Sequence, residues 1–199
     1  MSPRDPGTTG GTYTLLVGLE APATIAVGAL GDREFPAGLF AYTGSALGPG
    51  GFARVDRHRE LAAGARNVRH WHVDYLLGHP AASLERVIRS EGVEIECEVA
   101  TGIDADPVAG FGASDCECST HLHFGGPDGE PNRGGFVETV VAAHRAARDG
   151  GGTRRWPVAE IPSALLRRHA PPRPADCAPT QVFLSRPPVV SHMATDEAL

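Results

Sequence analysis

Between Arg54 and His72 the chain carries five arginines and three histidines against two acids, Asp56 and Glu60. That local excess stands inside a protein whose formal net charge is -6. On a helix, Arg54 and His58 stand four residues apart and share a face, with Arg57 one turn from Arg54. Guanidinium groups grip phosphate oxygens bidentately and stabilise charge that develops in a transition state. The competing reading of the same pattern is a solvated helix face laced with ion pairs. Just upstream, LFAYTGSALGPGG at 39–51 ends an apolar run in Tyr42-Thr43-Gly44 and enters a glycine-rich turn. Backbone amides of such a turn ahead of a helix can receive an anion, here with Gly44 and Arg57 as phosphate-binding candidates. Tyr13 and Tyr42 lie side by side if their strands pair antiparallel, and a tyrosine near a cation can accept a proton or orient a water.

A second group of reactive side chains follows in CECSTHLH, which places Cys116, Cys118, His121 and His123 within eight residues. Soft thiolates and imidazoles hold zinc, and Cys97 can contribute from outside the loop. The spacing C-x-C-x-x-H-x-H is not among the strong zinc signatures, and neighbouring ligands on one turn seldom close a tetrahedron. The expectation is therefore a loop in which Ser114, Asp115 and His121 satisfy backbone groups, with zinc as the rival. In HWHVDYLL at 70–77, His70, His72 and Asp74 share one face of an extended segment but splay on a helix. They are supporting candidates, with Trp71, Tyr75 and Leu76 expected to pack inward.

The elements that must position these groups are legible in outline. Residues 12–19 (TYTLLVGL), 23–30 (ATIAVGAL) and 38–44 (GLFAYTG) are β-prone runs, the first two separated by Glu20-Ala21-Pro22 as in a hairpin. Three strands with short links read as an antiparallel meander with one face left for helices. FARVDRHRELAAGA has helical composition; SLERVIRSEG at 83–92 is ambiguous between helix and strand; VEIECEVATGI at 93–103 holds a further element, with a helix as one reading. GGPDGEPNRGG reads as a linker, and FVETVVAAHRAARDG as an amphipathic helix with Phe136, Val137, Val140, Val141 and His144 on one face. RRWPVAEIPSALLRR suggests one more short helix in a low-order C-terminal tail.

The composition narrows the chemistry further. A chain of 199 residues with 41% apolar side chains is long enough for one ordinary core. Its apolar runs fall far short of the roughly 20 residues that span a bilayer, and MSPRDPGTTGG lacks the apolar centre of a signal peptide. A cytoplasmic protein with reduced thiols is expected, and no membrane partner. There is no lysine anywhere, which excludes phosphate chemistry that depends on one.

Taken in order, GTY at 11–13, YTG at 42–44 and then Arg54 and His58 resemble the signature of the GIY-YIG nuclease superfamily. Together, LFAYTGSALG, RVDRH, HWHVDYLL, ECEVA and GFGASDCECSTHL resemble, more narrowly, its Uri-type branch catalogued as DUF123. The resemblance spans about residues 10 to 125, giving expected boundaries of 1–9 for a disordered N-terminus, 10–125 for the domain and 126–199 for a linker, helix and tail. Threonine stands where both tripeptides of the superfamily have isoleucine.

The resemblance implies an α+β domain, a small three-stranded antiparallel sheet flanked by helices, that hydrolyses DNA phosphodiester bonds with Mg²⁺ or Mn²⁺. It implies Tyr13 as general base or water activator, Tyr42 as its support, Arg54 on the scissile phosphate and His58 as an added phosphate or proton-transfer residue. It also implies one metal-binding glutamate on a later helix; Glu98 is the first choice and Glu96 the second. One or two carboxylates suffice for a Mg²⁺ ion that keeps several waters. The alternative is a nucleic-acid-binding module without catalysis, with His72, Cys116, Cys118 and His121 available to a structural zinc. The two readings divide on whether a carboxylate reaches Tyr13 and Arg54.

Overall fold

The computed structural model describes residues 10–127, 132–150 and 158–161. In chain order the elements are strands β1 (Gly11–Leu19), β2 (Ala23–Ala26), β3 (Asp32–Phe35) and β4 (Gly38–Ser45), then helices α1 (Ala53–Ala62) and α2 (His72–Leu77). Strand β5 (Ala82–Glu91), helix α3 (Glu96–Gly102), strands β6 (Asp106–Pro107) and β7 (Leu122–Phe124), helix α4 (Asn132–Gly150) and strand β8 (Val158–Ile161) follow. The sheet runs β6-β7-β4-β1-β5-β8, every neighbouring pair antiparallel.

The α+β class agrees with expectation, but among the described residues the sheet has six strands rather than three. The expected meander is also broken. β1 pairs with β4 and β5, while β2 and β3 form a separate two-stranded ribbon. Burial explains the sorting. All nine residues of β1 are buried, so it must sit centrally with cover on both faces. Asp32, Arg33 and Glu34 of β3 are exposed, and only Ile25 and Phe35 of the ribbon are buried. SLERVIRSEG resolves as strand β5. A register shift between Leu16 and Val17 inserts a bulge where β5 pairs with β1.

Alternation along β1 divides the core in two. Tyr13, Leu15, Val17 and Leu19 pack with Phe40, Tyr42, Val55, Leu61, Val73 and Leu76 under α1 and α2. Leu16 packs with Leu39, Ala41, Ile88, Val99, Ile103, Phe136 and Val140 under α3 and α4. Burying each Leu, Val or Phe side chain is worth roughly 1.5–3 kcal/mol, so the central placement of β1 dominates the choice of topology. Helix α4 therefore belongs to the same packed unit, and the boundary expected at 125 falls inside it. Part of the stretch expected to be a C-terminal helix is instead strand β8; the rest of the tail and residues 1–9 lie outside the described residues. Among the described residues no helix is long and apolar enough to cross a membrane.

Candidate active site

The β1–β4 register sets Tyr13 opposite Gly44 and Leu15 opposite Tyr42, so the two tyrosines are diagonal neighbours on the α1/α2 face. Gly44 makes this arrangement possible. A Cβ there would stand 2.7 Å from Tyr13 Oη and 3.2 Å from a ring carbon of Tyr42. Its role is to admit the phenol, which is a steric reason for the YTG tripeptide. The glycine-rich turn after β4 closes on itself through Gly51 N–H to Gly48 C=O and Ala53 N–H to Gly50 C=O.

Behind Tyr13 runs a line of hydrogen bonds into the protein. Val55, His58 and Leu61 form the buried face of α1, which carries the imidazole inward. His58 Nε2 lies 2.9 Å from Tyr13 Oη, and its Nδ1 lies 3.2 Å from Asp74 Oδ1. Arg57 donates to the same Asp74 oxygen at 2.6 Å, and the amides of His70 and Trp71 donate to Oδ2 at 2.7 and 3.0 Å. Burial alone would raise the Asp74 carboxyl, but the bonds from His58, Arg57 and the two amides outweigh it and hold it well below the usual carboxylate range. The ionised carboxylate therefore fixes the proton on His58 Nδ1 and leaves Nε2 as acceptor for the Tyr13 hydroxyl. Burial lowers the His58 pKa, opposed by the Asp74 bond, so the imidazole is neutral and ready to take a proton. Burial, and next the neighbouring Tyr42, raise the Tyr13 phenol well above its ordinary value. Burial, and next Glu96, do the same to Tyr42.

These contacts revise two expectations. Arg57 is committed to Asp74, not to an incoming phosphate. In α2 Leu76 packs inward as expected, but with Val73, Leu77 and the fully buried Asp74 rather than with Trp71, which precedes the helix and is 36% exposed. Trp71 packs under two guanidinium groups, Arg57 at 4.1 Å and Arg54 at 4.6 Å from its ring centroid. Arg54 also donates to the Ser45 carbonyl at 2.6 Å, which holds its side chain at the end of β4. Its remaining donors are available to an anion.

A polar pocket of about 420 Å³ opens here, lined by Tyr13, Tyr42, Gly44, Arg54, His72 and Glu96 together with Ser45, His70, Trp71, Glu94, Gly112, Ser114 and Asp115. A larger cavity of about 710 Å³ lies between α4 and the sheet, lined by Leu16, Leu39 and Val137 among others, and none of the groups above reaches it. The carboxylates of the polar pocket are Glu94, Glu96 and Asp115. Glu98 is exposed and does not line it, which corrects the first choice in favour of Glu96. On a helix, residues two apart point about 200° apart, so only one of the two can face Tyr13. The segment before α3 is pinned by a residue that sequence reasoning passed over. Thr12 Oγ1 donates to the Val93 carbonyl at 3.1 Å and accepts from the Ile95 amide at 3.0 Å. An isoleucine at this place could do neither. A hydroxyl-bearing residue inside an otherwise apolar strand was the available signal.

The cysteine loop also differs from expectation. Thr120, not Ser114, Asp115 or His121, satisfies the loop backbone, bonding Val108 C=O, Leu122 C=O and Leu122 N–H. The ligand atoms of Cys97, Cys116, Cys118 and His121 lie within 4.8 Å of one another, a group that could hold a metal ion. Cys97 arrives from α3. His72 is outside this group; its Nδ1 accepts from the Gly112 amide at 3.2 Å and its ring packs on Phe111. His123 is buried and also outside it.

With this geometry in view, residues 12–145 match the family model described as a domain of unknown function, DUF123. The chain belongs to that family. The matched span runs from β1 into α4 and contains the pocket, the hydrogen-bonded line behind Tyr13 and all four members of the Cys/His group. Comparison with curated proteins and with solved structures gives no match. The family assignment therefore carries no activity with it.

Proposed function

We infer that this DUF123 protein is an endonuclease that hydrolyses DNA phosphodiester bonds with the aid of a divalent cation. The observation that carries the reading is the Tyr13–His58–Asp74 line, ending in a pocket that also presents Arg54 and Glu96. A phenol this deeply buried is a poor base alone, because its proton is held tightly. His58 removes that obstacle. A water in the pocket gives its proton to Tyr13 Oη as Tyr13 passes its own proton to His58 Nε2, and Asp74 stabilises the imidazolium that forms. The water oxygen bonds to phosphorus, the bond from phosphorus to the leaving sugar oxygen breaks, and that oxygen takes a proton from solvent. Arg54 neutralises charge on the non-bridging oxygens. The same division of labour, an attacking oxygen, an imidazole and an orienting carboxylate, serves acyl transfer in unrelated folds.

The residues fit a hard divalent ion. Glu96 and Glu94 offer oxygen donors in a polar, water-accessible pocket, which suits Mg²⁺ or Mn²⁺ with most of the shell left as water. Such an ion supplies Lewis-acid stabilisation of the phosphate and the leaving oxygen.

The test is cleavage of branched, single-stranded and duplex DNA with Mg²⁺ or Mn²⁺ by the full chain. Cleavage is expected, lost in Tyr13→Phe while DNA binding is retained. Salt-sensitive binding without cleavage of any of the three would reassign the protein to the non-catalytic class.

A further inference from the structure

We propose that Cys97, Cys116, Cys118 and His121 form a structural zinc site that holds one wall of the pocket and orients Glu96. The proposal does not depend on the nuclease reading. Four donors of soft or borderline character, three thiols and an imidazole, converge from α3 and from the loop that leads into β7. At a Zn–S distance of about 2.3 Å a tetrahedron has edges of about 3.8 Å, so a set spread over 4.8 Å needs only a small inward adjustment of side chains. Cys116 Sγ already stands 3.3 Å from His121 Nε2. Thiolates with imidazole select Zn²⁺ over Mg²⁺ or Mn²⁺, and four protein ligands leave no open position, the mark of a structural site.

The loop gives such an ion work to do. From Val108 to His121 it contributes one fully buried large apolar side chain to the core, Phe111, with Val108 partly buried beside it. Yet Gly112, Ser114 and Asp115 of this loop line the pocket. Ligation through His121 Nε2 leaves Nδ1 toward Glu96, whose Oε1 is 2.9 Å away. That nitrogen is buried and makes no well-aligned hydrogen bond as it stands, so a slight turn of the ring on ligation would complete the pair. Carboxylate, imidazole and metal in line is the usual way a ligand histidine is oriented, and losing the carboxylate typically lowers metal affinity 10–100-fold. Here it would also fix one oxygen of Glu96 and leave the other facing the pocket.

The full chain purified under reducing conditions without added zinc is expected to contain stoichiometric zinc by elemental analysis. Co²⁺ exchanged into it should give thiolate-to-metal charge-transfer bands and intense tetrahedral ligand-field bands. Cys97→Ser and Cys116→Ser should each lose the metal. Should either fail to fold, removing zinc from the wild-type chain with a chelator is expected to lower its melting temperature, restored by Zn²⁺ and not by Mg²⁺. Glu96→Gln should keep the metal but release it to a competing chelator about 10–100-fold more readily. Protein without zinc that shows no Co²⁺ charge transfer, zinc that stays in both cysteine variants, or a disulfide among these cysteines in the isolated protein overturns the site. Unchanged zinc affinity in Glu96→Gln overturns the link to the pocket.

Discussion

The two most deeply buried histidines among the described residues, His58 and His144, lie one on each face of the sheet, and they have opposite surroundings. His58, 1% exposed, links Tyr13 to an ionised Asp74 beside an open polar pocket. His144, fully buried on α4, takes Thr14 Oγ1 at 2.8 Å on Nε2 and Ser90 Oγ at 2.9 Å on Nδ1, and Thr14 in turn meets Thr43. Burial first, and Arg148 next, push the His144 pKa down to about 4. Residue type and burial are therefore not what mark a proton-transfer group. What differs is the far end of each chain of bonds. A carboxylate that can stabilise an imidazolium, and a phenol that lines an open polar pocket, make His58 suited to chemistry; neutral hydroxyls inside a closed core make His144 a satisfied polar contact.

The comparison can be broken most forcefully at His58. His58→Gln keeps a polar side chain in place but cannot take a proton. DNA cleavage is expected to fall about 10²–10⁴-fold, the usual worth of a general base, while circular dichroism stays native. His144→Leu should show the reverse, a lower melting temperature with cleavage per folded molecule retained. Cleavage that survives His58→Gln and collapses in His144→Leu would invert the assignment.

Next in size is Asp74. Asp74→Ala leaves Arg57, whose side chain is 12% exposed, without its partner and orphans the His70 and Trp71 amides. Stripping one member from a buried charge pair costs about 3–5 kcal/mol, measurable as a shift in denaturant midpoint. A change under about 1 kcal/mol would mean that the charge is far better solvated than its burial implies.

A pH titration of stability separates the histidines more finely. The depressed pKa of His144 means that the unfolded chain binds its proton first as pH falls. Stability is then full above the unfolded histidine value of about 6.5 and declines toward the folded value. Between pH 7 and pH 5 the loss from His144 is about 2 kcal/mol, and His144→Leu should remove that part of the slope. The lowered pKa of His58 contributes in the same direction, so a residual slope in His144→Leu is expected, and none in a variant lacking both imidazoles beyond what other groups give. An unchanged slope in His144→Leu would show that its imidazole is not buried neutral.

The smallest effect is expected at Arg59, two residues after Arg57 on the same helix. Its ion pair with Asp56 lies at the surface, with side chains 28% and 64% exposed. Arg59→Ala should move stability by less than about 0.5 kcal/mol, and leave cleavage unchanged. One turn of a basic helix thus holds a guanidinium that the fold needs and one that it does not.

Much of this arrangement was legible beforehand. Apolar alternation exposed β1 and β4, the i,i+4 relation placed Arg54 and His58 on one side of α1, and the amphipathic stripe of α4 included His144. The hairpin partner of β1 was not legible, because pairing depends on which strands need cover on both faces rather than on which are adjacent in sequence. Arg57 and Asp74 are 17 residues apart, and no local rule pairs them; HWHVDYLL read as a helix with Trp71 inward until the buried carboxylate took its place. Glu96 and Glu98 are equivalent in composition and differ only in the rotation of α3. Cys97 was legible as a candidate from outside the Cys/His loop, but that it meets Cys116, Cys118 and His121 was not, because it comes from another element.

The sequence by itself determined the chemical inventory: two strand tyrosines, an arginine-rich helix without lysine, and thiols beside imidazoles. It also determined the local elements, because periodicity and turn chemistry act over a few residues. The tertiary structure alone decided which of those groups meet. Hydrogen bonds, thiolate clusters and pKa shifts act over a few ångströms between residues far apart in the chain. Only the packing of α1, α2 and α3 about β1 and β4 brings His58 to Tyr13, Asp74 to His58, and Glu96 rather than Glu98 to the pocket.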